Sequence, residues 1–190
     1  MVDALHITGD AEADELLTND PLALLIGMLL DQQVPMETAF AGPAKLRERM
    51  GGRLDARAIA QHDPDEFAEI CKRAPAVHRF PGSMASRIQS MCAALVSDWG
   101  GDAPALWRDA DGAEIRRRLE ALPGFGEQKA KIFLALLGKR YGVDAAGWEA
   151  ASAPYGETGS YRSVADIVDP ESLGKVRAFK QAAKKAAAAK

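Results

Sequence analysis

Read for the alternation of apolar and polar positions, the chain repeats one period. Apolar residues recur three and four apart, the spacing of a single helix face. Asp20 and Pro21 open the clearest case, an acid that can cap a helix followed by a proline suited to its first position. Leu22, Leu25, Ile26 and Leu29 follow at helical spacing and predict a central core helix. Asp63 and Pro64 repeat the device ahead of Phe67, Ile70 and Cys71, and Ile88, Met91, Cys92 and Leu95 make a third stripe. Ile115, Leu119 and Leu122 lead into a break, after which Ile132, Phe133, Leu136 and Leu137 resume the period. No run alternates as a half-buried strand would, so the expected class is all-α. Residues 144–161, rich in Gly, Ala, Ser and Pro, read as an irregular connection holding one short helix at most. The tail from Ala182 is a lysine–alanine segment, helical or frayed.

The break is the chain's most informative stretch. Leu122-Pro123-Gly124-Phe125-Gly126 reads as a tight glycine hairpin opening directly into the next helix, whose first residues are Glu127, Gln128 and Lys129. Glycines let the backbone turn sharply, and the first N–H groups of a helix lack intrahelical partners. Such a terminus seats a phosphate oxygen, so Leu122, Gly124, Phe125 and Gly126 are candidates to grip a nucleic-acid backbone, with Lys129 and Lys131 in support. A plain turn between two core helices is the competing reading.

Composition narrows the setting. The 190 residues can bury one or two modest cores. Two cysteines, Cys71 and Cys92, form no disulfide framework and suit a reducing compartment as small buried apolar residues. The longest apolar run is too short to span a bilayer, and the acidic start lacks a signal-peptide pattern, so a cytoplasmic protein is expected. The three histidines, His6, His62 and His78, lack metal-ligand spacing.

A net charge of −3 argues mildly against a DNA ligand, but the charges are segregated. Asp3, Asp10, Glu12, Asp14, Glu15 and Asp20 crowd the start; Lys175, Arg177, Lys180, Lys184, Lys185 and Lys190 crowd the end. Arg116, Arg117 and Arg118 precede the hairpin, and Lys129, Lys131, Lys139 and Arg140 follow it. A local positive patch is what binding requires, and modest, salt-dependent affinity is expected.

Three stretches together resemble the helix-hairpin-helix DNA glycosylases of base-excision repair, the superfamily of endonuclease III and the 3-methyladenine glycosylases. They are the helix ending Leu29-Leu30-Asp31-Gln32-Gln33, the segment Arg79 to Leu95, and the Leu-Pro-Gly-Phe-Gly hairpin. The resemblance spans roughly residues 20–141. It implies a two-lobed helical fold with an acidic segment at 1–19, a core at 20–141 with the hairpin at 122–130, and a connection plus basic C-terminal helix at 142–190 packing on that core. With two cysteines the four-cysteine iron–sulfur cluster of some relatives is excluded. No cofactor is implied, though relatives allow a cation on hairpin carbonyls.

The resemblance also assigns roles. Gln33, with Gln32 beside it, matches the glutamine that fills the gap left by an extruded base. The lysine of strand-cleaving relatives would stand two residues after the second glycine, where this chain has Gln128; Lys129 is one step later, about 100° around the helix. A monofunctional enzyme using water is therefore expected, with Gln128 a candidate to orient that water or touch the target base. The carboxylate that stabilises the oxocarbenium-like sugar falls to Asp144, in Gly142-Val143-Asp144, to Asp166, in Val164-Ala165-Asp166, or to neither. Asp31 must be paired or face the base pocket, and Trp148, close to Asp144 in sequence, is a candidate to stack on the base. The expected partner is lesion-bearing duplex DNA, bound by a monomer. A binding module that does not cleave, or a helical adaptor with an incidental hairpin, are the rival readings.

Overall fold

The computed structural model describes residues 4–190. Among the described residues there are ten α-helices, two short 3-10 turns and no strand, as the periodicity predicts. The first group comprises α1 (Ala11–Asn19), α2 (Pro21–Leu30), α3 (Met36–Arg49), α4 (Ala56–Gln61), α5 (Pro64–Lys72) and α6 (Pro81–Trp99). The second comprises α7 (Gly112–Glu120), α8 (Glu127–Arg140), the single-turn α9 (Trp148–Ala151) and α10 (Pro170–Ala188). This is the two-lobed helical arrangement; α2 touches both groups, and one continuous hydrophobic core runs through them.

The caps form where the sequence places them. Asp20 accepts the backbone N–H groups of Leu22 and Ala23, and Asp63 those of Asp65 and Glu66. Residues Leu22 to Leu30 of α2 are all buried. The helix is apolar on every side because other helices surround it, so burial extends beyond the stripe of Leu22, Leu25, Ile26 and Leu29. Gly27 is the contact that permits this: a Cβ there would stand 2.6 Å from the Phe40 ring of α3. Met28, Met84 and Met91 are core, and Cys71 and Cys92 are free, buried thiols. Burial pushes the two thiols up to about 11 and about 12.

The N-terminal segment reads as an acidic strip in the sequence, yet its described part belongs to the core. Leu5, Ile7, Leu16 and Leu17 are buried, and Asp14 turns inward to accept the N–H groups of Ile7 and Thr8 at 3.0 and 2.8 Å. Its charge organises the entry into α1 and is not a solvated face. The irregular connection is as expected, with α9 its one short helix. The lysine–alanine tail is helical, the last turns of α10 being exposed.

Candidate nucleic-acid interface

The hairpin is built from below. Leu122 and Phe125 are both buried, and Phe125 meets Phe133 of α8 edge-on at 6.0 Å. Their side chains anchor the turn, so what the hairpin offers outward is backbone. Gly124 takes φ +87°, a conformation that favours glycine, and its backbone lies close to Leu29: a Cβ there would meet Cδ1 at 3.0 Å. Gly126 precedes α8 with no side-chain cap, is exposed, and has no atom within 4 Å of where its Cβ would stand. The first N–H groups of α8 therefore open onto clear space beside an exposed Gln128.

The turn after α2 lies alongside. Lys129, half-buried in the first turn of α8, donates to the Leu29 carbonyl at 2.7 Å. Gln32 donates to that same carbonyl through Nε2 at 2.9 Å and accepts Arg87 Nη1 at 2.8 Å. Its own carbonyl is 2.9 Å from His78 Nε2. His78 Nδ1 accepts the Phe80 N–H at 2.9 Å, which assigns the proton to Nε2 and makes the ring a donor to Gln32. Gln32 is thus a fastener, and Gln33 is the residue displayed, exposed at φ +60°. The structure brings the hairpin and the glutamine turn onto one surface and ties them at Leu29.

Asp31 closes this surface from the side. Its side chain is 8% exposed, and Lys180 Nζ of α10 lies 3.3 Å away. Lys180 supplies the partner that the sequence reading asked for. Lys129 feels the Asp31 carboxylate as well, but burial dominates and, with Arg87 and Lys180 nearby, brings its ammonium down to about 8. Arg177, one turn earlier on α10, pairs with Glu37 of α3.

The other site candidates lie elsewhere. Asp166 is buried among hydrogen bonds: Oδ1 takes Lys139 Nζ at 2.6 Å, and Oδ2 takes the Arg162 and Ser163 N–H groups and the Ser160 hydroxyl. Asp144 is exposed on the loop that leaves the C-terminal end of α8, four residues past Arg140. Trp148 is half-buried, its ring against Gly138, where a Cβ would stand 2.4 Å from Cδ2. Gly138 lies roughly 15 Å along α8 from Gln128. The hairpin's Gln128 instead meets Tyr155, donating to its hydroxyl at 3.0 Å. The positive patch expected around the hairpin is in large part paired. Arg116 bridges Glu120 and Glu127, Lys131 pairs with Glu127, and Arg117 and Arg118 hold Glu114 down at about 2.

The contacts of His78, Arg87, Tyr155 and Lys180 at this surface were not legible in the sequence. Each residue lies from 27 to 149 residues from its partner, and none stands in a motif that points at that partner.

Among the described residues, no three or more of the His, Cys, Asp and Glu side chains come together in a way that could hold a metal, and no helix is long and apolar enough to cross a membrane. The family model described as HhH-GPD superfamily base excision DNA repair protein matches residues 26–188. No curated protein matches the chain. The chain belongs to the HhH-GPD superfamily, a family of base-excision DNA repair proteins, and DNA is the ligand that membership implies.

Proposed function

We propose that this protein is a monofunctional DNA N-glycosylase that hydrolyses the bond between a damaged or mispaired base and its sugar in duplex DNA. The observation that carries the reading is the Lys129–Leu29 tie, which joins the hairpin's N–H seat and the displayed Gln33 into one rigid surface. Phosphate binding at α8 would fix the strand, and Gln33 would enter the space vacated by an extruded base. Gln128 cannot form a Schiff base, and the Lys129 amine is engaged with Leu29, so water is the nucleophile. The glycosidic electron pair leaves with the base, the water oxygen bonds to the sugar carbon, and its proton passes to a base or to solvent.

The reaction needs an ionised carboxylate beside the sugar. Asp144 and Asp166 are the candidates that the resemblance supplies. Asp166 already has both oxygens engaged, and Asp144 follows the end of α8 remote from the hairpin. Asp31 adjoins the glutamine turn and faces Lys129, and we assign it the role. Lys180, an exposed partner, is free to exchange its ion pair with Asp31 for a DNA phosphate. The cation that the resemblance allows would sit on the hairpin carbonyls, of which that of Leu122 accepts the Phe125 N–H at 3.0 Å.

Single-turnover base release from duplexes carrying uracil, mismatched adenine, alkylated or oxidised bases tests this reading, with strands scored before and after alkali. Abasic product that breaks only with alkali is the expected result, lost in Asp31→Asn. A dead Asp144→Asn with an active Asp31→Asn would return the role to Asp144. Binding of every duplex without base release would favour the non-catalytic module, a reading supported by the engagement of Asp166 within the fold.

A further inference from the structure

The loop at 157–162 and one face of α10 enclose an open groove of about 580 Å³ that the hairpin chemistry does not use. Two aromatic side chains line it, Tyr161 and Phe179, respectively 40% and 41% exposed. Each carries a cation on its ring: Lys175 Nζ stands 4.8 Å from the Tyr161 centroid and Arg162 Cζ stands 5.9 Å from that of Phe179. Large exposed rings flanked by cations form the combination that stacks bases and holds the phosphates between them.

The groove is held in shape from beneath. Buried Asp166 accepts the N–H groups of Arg162 and Ser163 and the Ser160 hydroxyl, and Lys139 reaches both Asp166 and the Glu157 carbonyl, at 2.6 and 2.7 Å. A loop fixed at both ends presents Tyr161 without paying its ordering entropy on binding. The cations of the groove already have acid partners: Glu157, in the lining, pairs with Arg162, and Glu171, one turn before Lys175 on α10, pairs with Lys175. Both pairs are exposed and stabilise little, so a phosphate can replace either carboxylate at small cost.

The charge beyond the groove selects the occupant. From Lys175 to Lys190, α10 and its last residues carry six Lys or Arg and no acid. The residue after Phe179 is Lys180, which reaches the Asp31 carboxylate beside Gln33. The groove and the glutamine turn are thus served by neighbouring residues of one basic helix. We propose that this groove is a second nucleic-acid subsite that binds unpaired nucleotides, their bases stacked on Tyr161 and Phe179 and their phosphates on Arg162 and Lys175. The subsite rests on the reading that the protein acts on duplex DNA.

The test is fluorescence anisotropy with three probes: a blunt duplex, the same duplex with a single-stranded flank, and the flank alone. The wild-type protein is expected to bind the flanked duplex about tenfold more tightly than the blunt one. Tyr161→Ala with Phe179→Ala should abolish that advantage and leave blunt-duplex affinity unchanged, while Tyr161→Phe retains it. Gly126→Asp should weaken the blunt duplex and spare the flank alone. Equal affinity for blunt and flanked duplexes, or an advantage that survives the double alanine variant, overturns the subsite, as would a groove that proves to take a protein segment instead. A flank effect that depends on the groove together with Gly126→Asp leaving duplex binding untouched would retain the subsite and remove the hairpin reading.

Discussion

Lys129 Nζ donates to the Leu29 carbonyl at 2.7 Å across a separation of 100 residues, and that bond joins the first turn of the hairpin helix to the last turn of α2. The same carbonyl also accepts Gln32 Nε2. Lys129→Met removes the tie but also removes a half-buried ammonium, so the two effects on stability oppose each other. A change within about 1 kcal/mol is expected by urea denaturation. Duplex affinity should nevertheless fall about tenfold, because the seat and the glutamine turn lose their fixed relation. A variant strongly destabilised yet unimpaired in binding would make Lys129 a structural fastener alone.

Gly126→Asp separates fold from function by sign. The position has φ −85° and open space around its Cβ, so no strain opposes a side chain. Aspartate is a favoured helix N-cap, and its charge suits the positive end of α8. The melting temperature should hold or rise slightly. The same carboxylate would occupy the ground of a phosphate oxygen, and duplex affinity should fall at least tenfold in titrations at low salt. Unchanged affinity would remove the hairpin from the DNA interface.

Asp166→Asn should act on stability first. Its side chain is 3% exposed and that of its partner Lys139 is 15% exposed, so the substitution leaves a largely buried ammonium without its counter-charge. A loss of about 3 kcal/mol in denaturant unfolding is expected. Loss of base release in a variant as stable as the parent would instead mark Asp166 as catalytic.

The helices were legible because their signals are local. Asp20 with Pro21 caps α2, Asp63 with Pro64 caps α5, and the stripe Ile88, Met91, Cys92, Leu95 needs no knowledge of its packing partners. The hairpin was legible for the same reason: two glycines around one apolar residue leave few other conformations. The partners of the site were not. Lys129 is a lysine off the expected register in the sequence, and only the approach of α2 gives it a carbonyl to meet. Asp166 closes the short 3-10 turn Val164–Asp166, and its network shows only once Lys139 and Arg162 converge on it. His78 carries no motif, yet its two nitrogens orient the Gln32 turn. Trp148, four residues after Asp144, packs on Gly138 because α9 folds back over α8.

The titration of Lys129 supplies a prediction with a definite sign. Burial brings its ammonium from the ordinary 10.5 down to about 8, with Arg87 and Lys180 acting in the same direction and Asp31 against it. Between those two values the unfolded chain holds a proton that the folded chain has released, so stability from this group rises with pH across about 8 to 10.5. Other buried groups act in the same range. Lys45 is lowered too, whereas Cys71, Cys92 and Tyr141 are raised by burial and lose stability as they ionise at high pH. Subtracting the profile of Lys129→Met cancels these shared contributions. Wild type should therefore gain on the variant in urea denaturation from pH 8 to pH 10. Duplex affinity should move the opposite way over pH 7 to 9, since the neutral amine no longer adds charge beside the phosphate seat. A difference profile that is flat, or that falls with pH, would mean that the folded protein keeps Lys129 charged, and the affinity loss at high pH should then be absent as well.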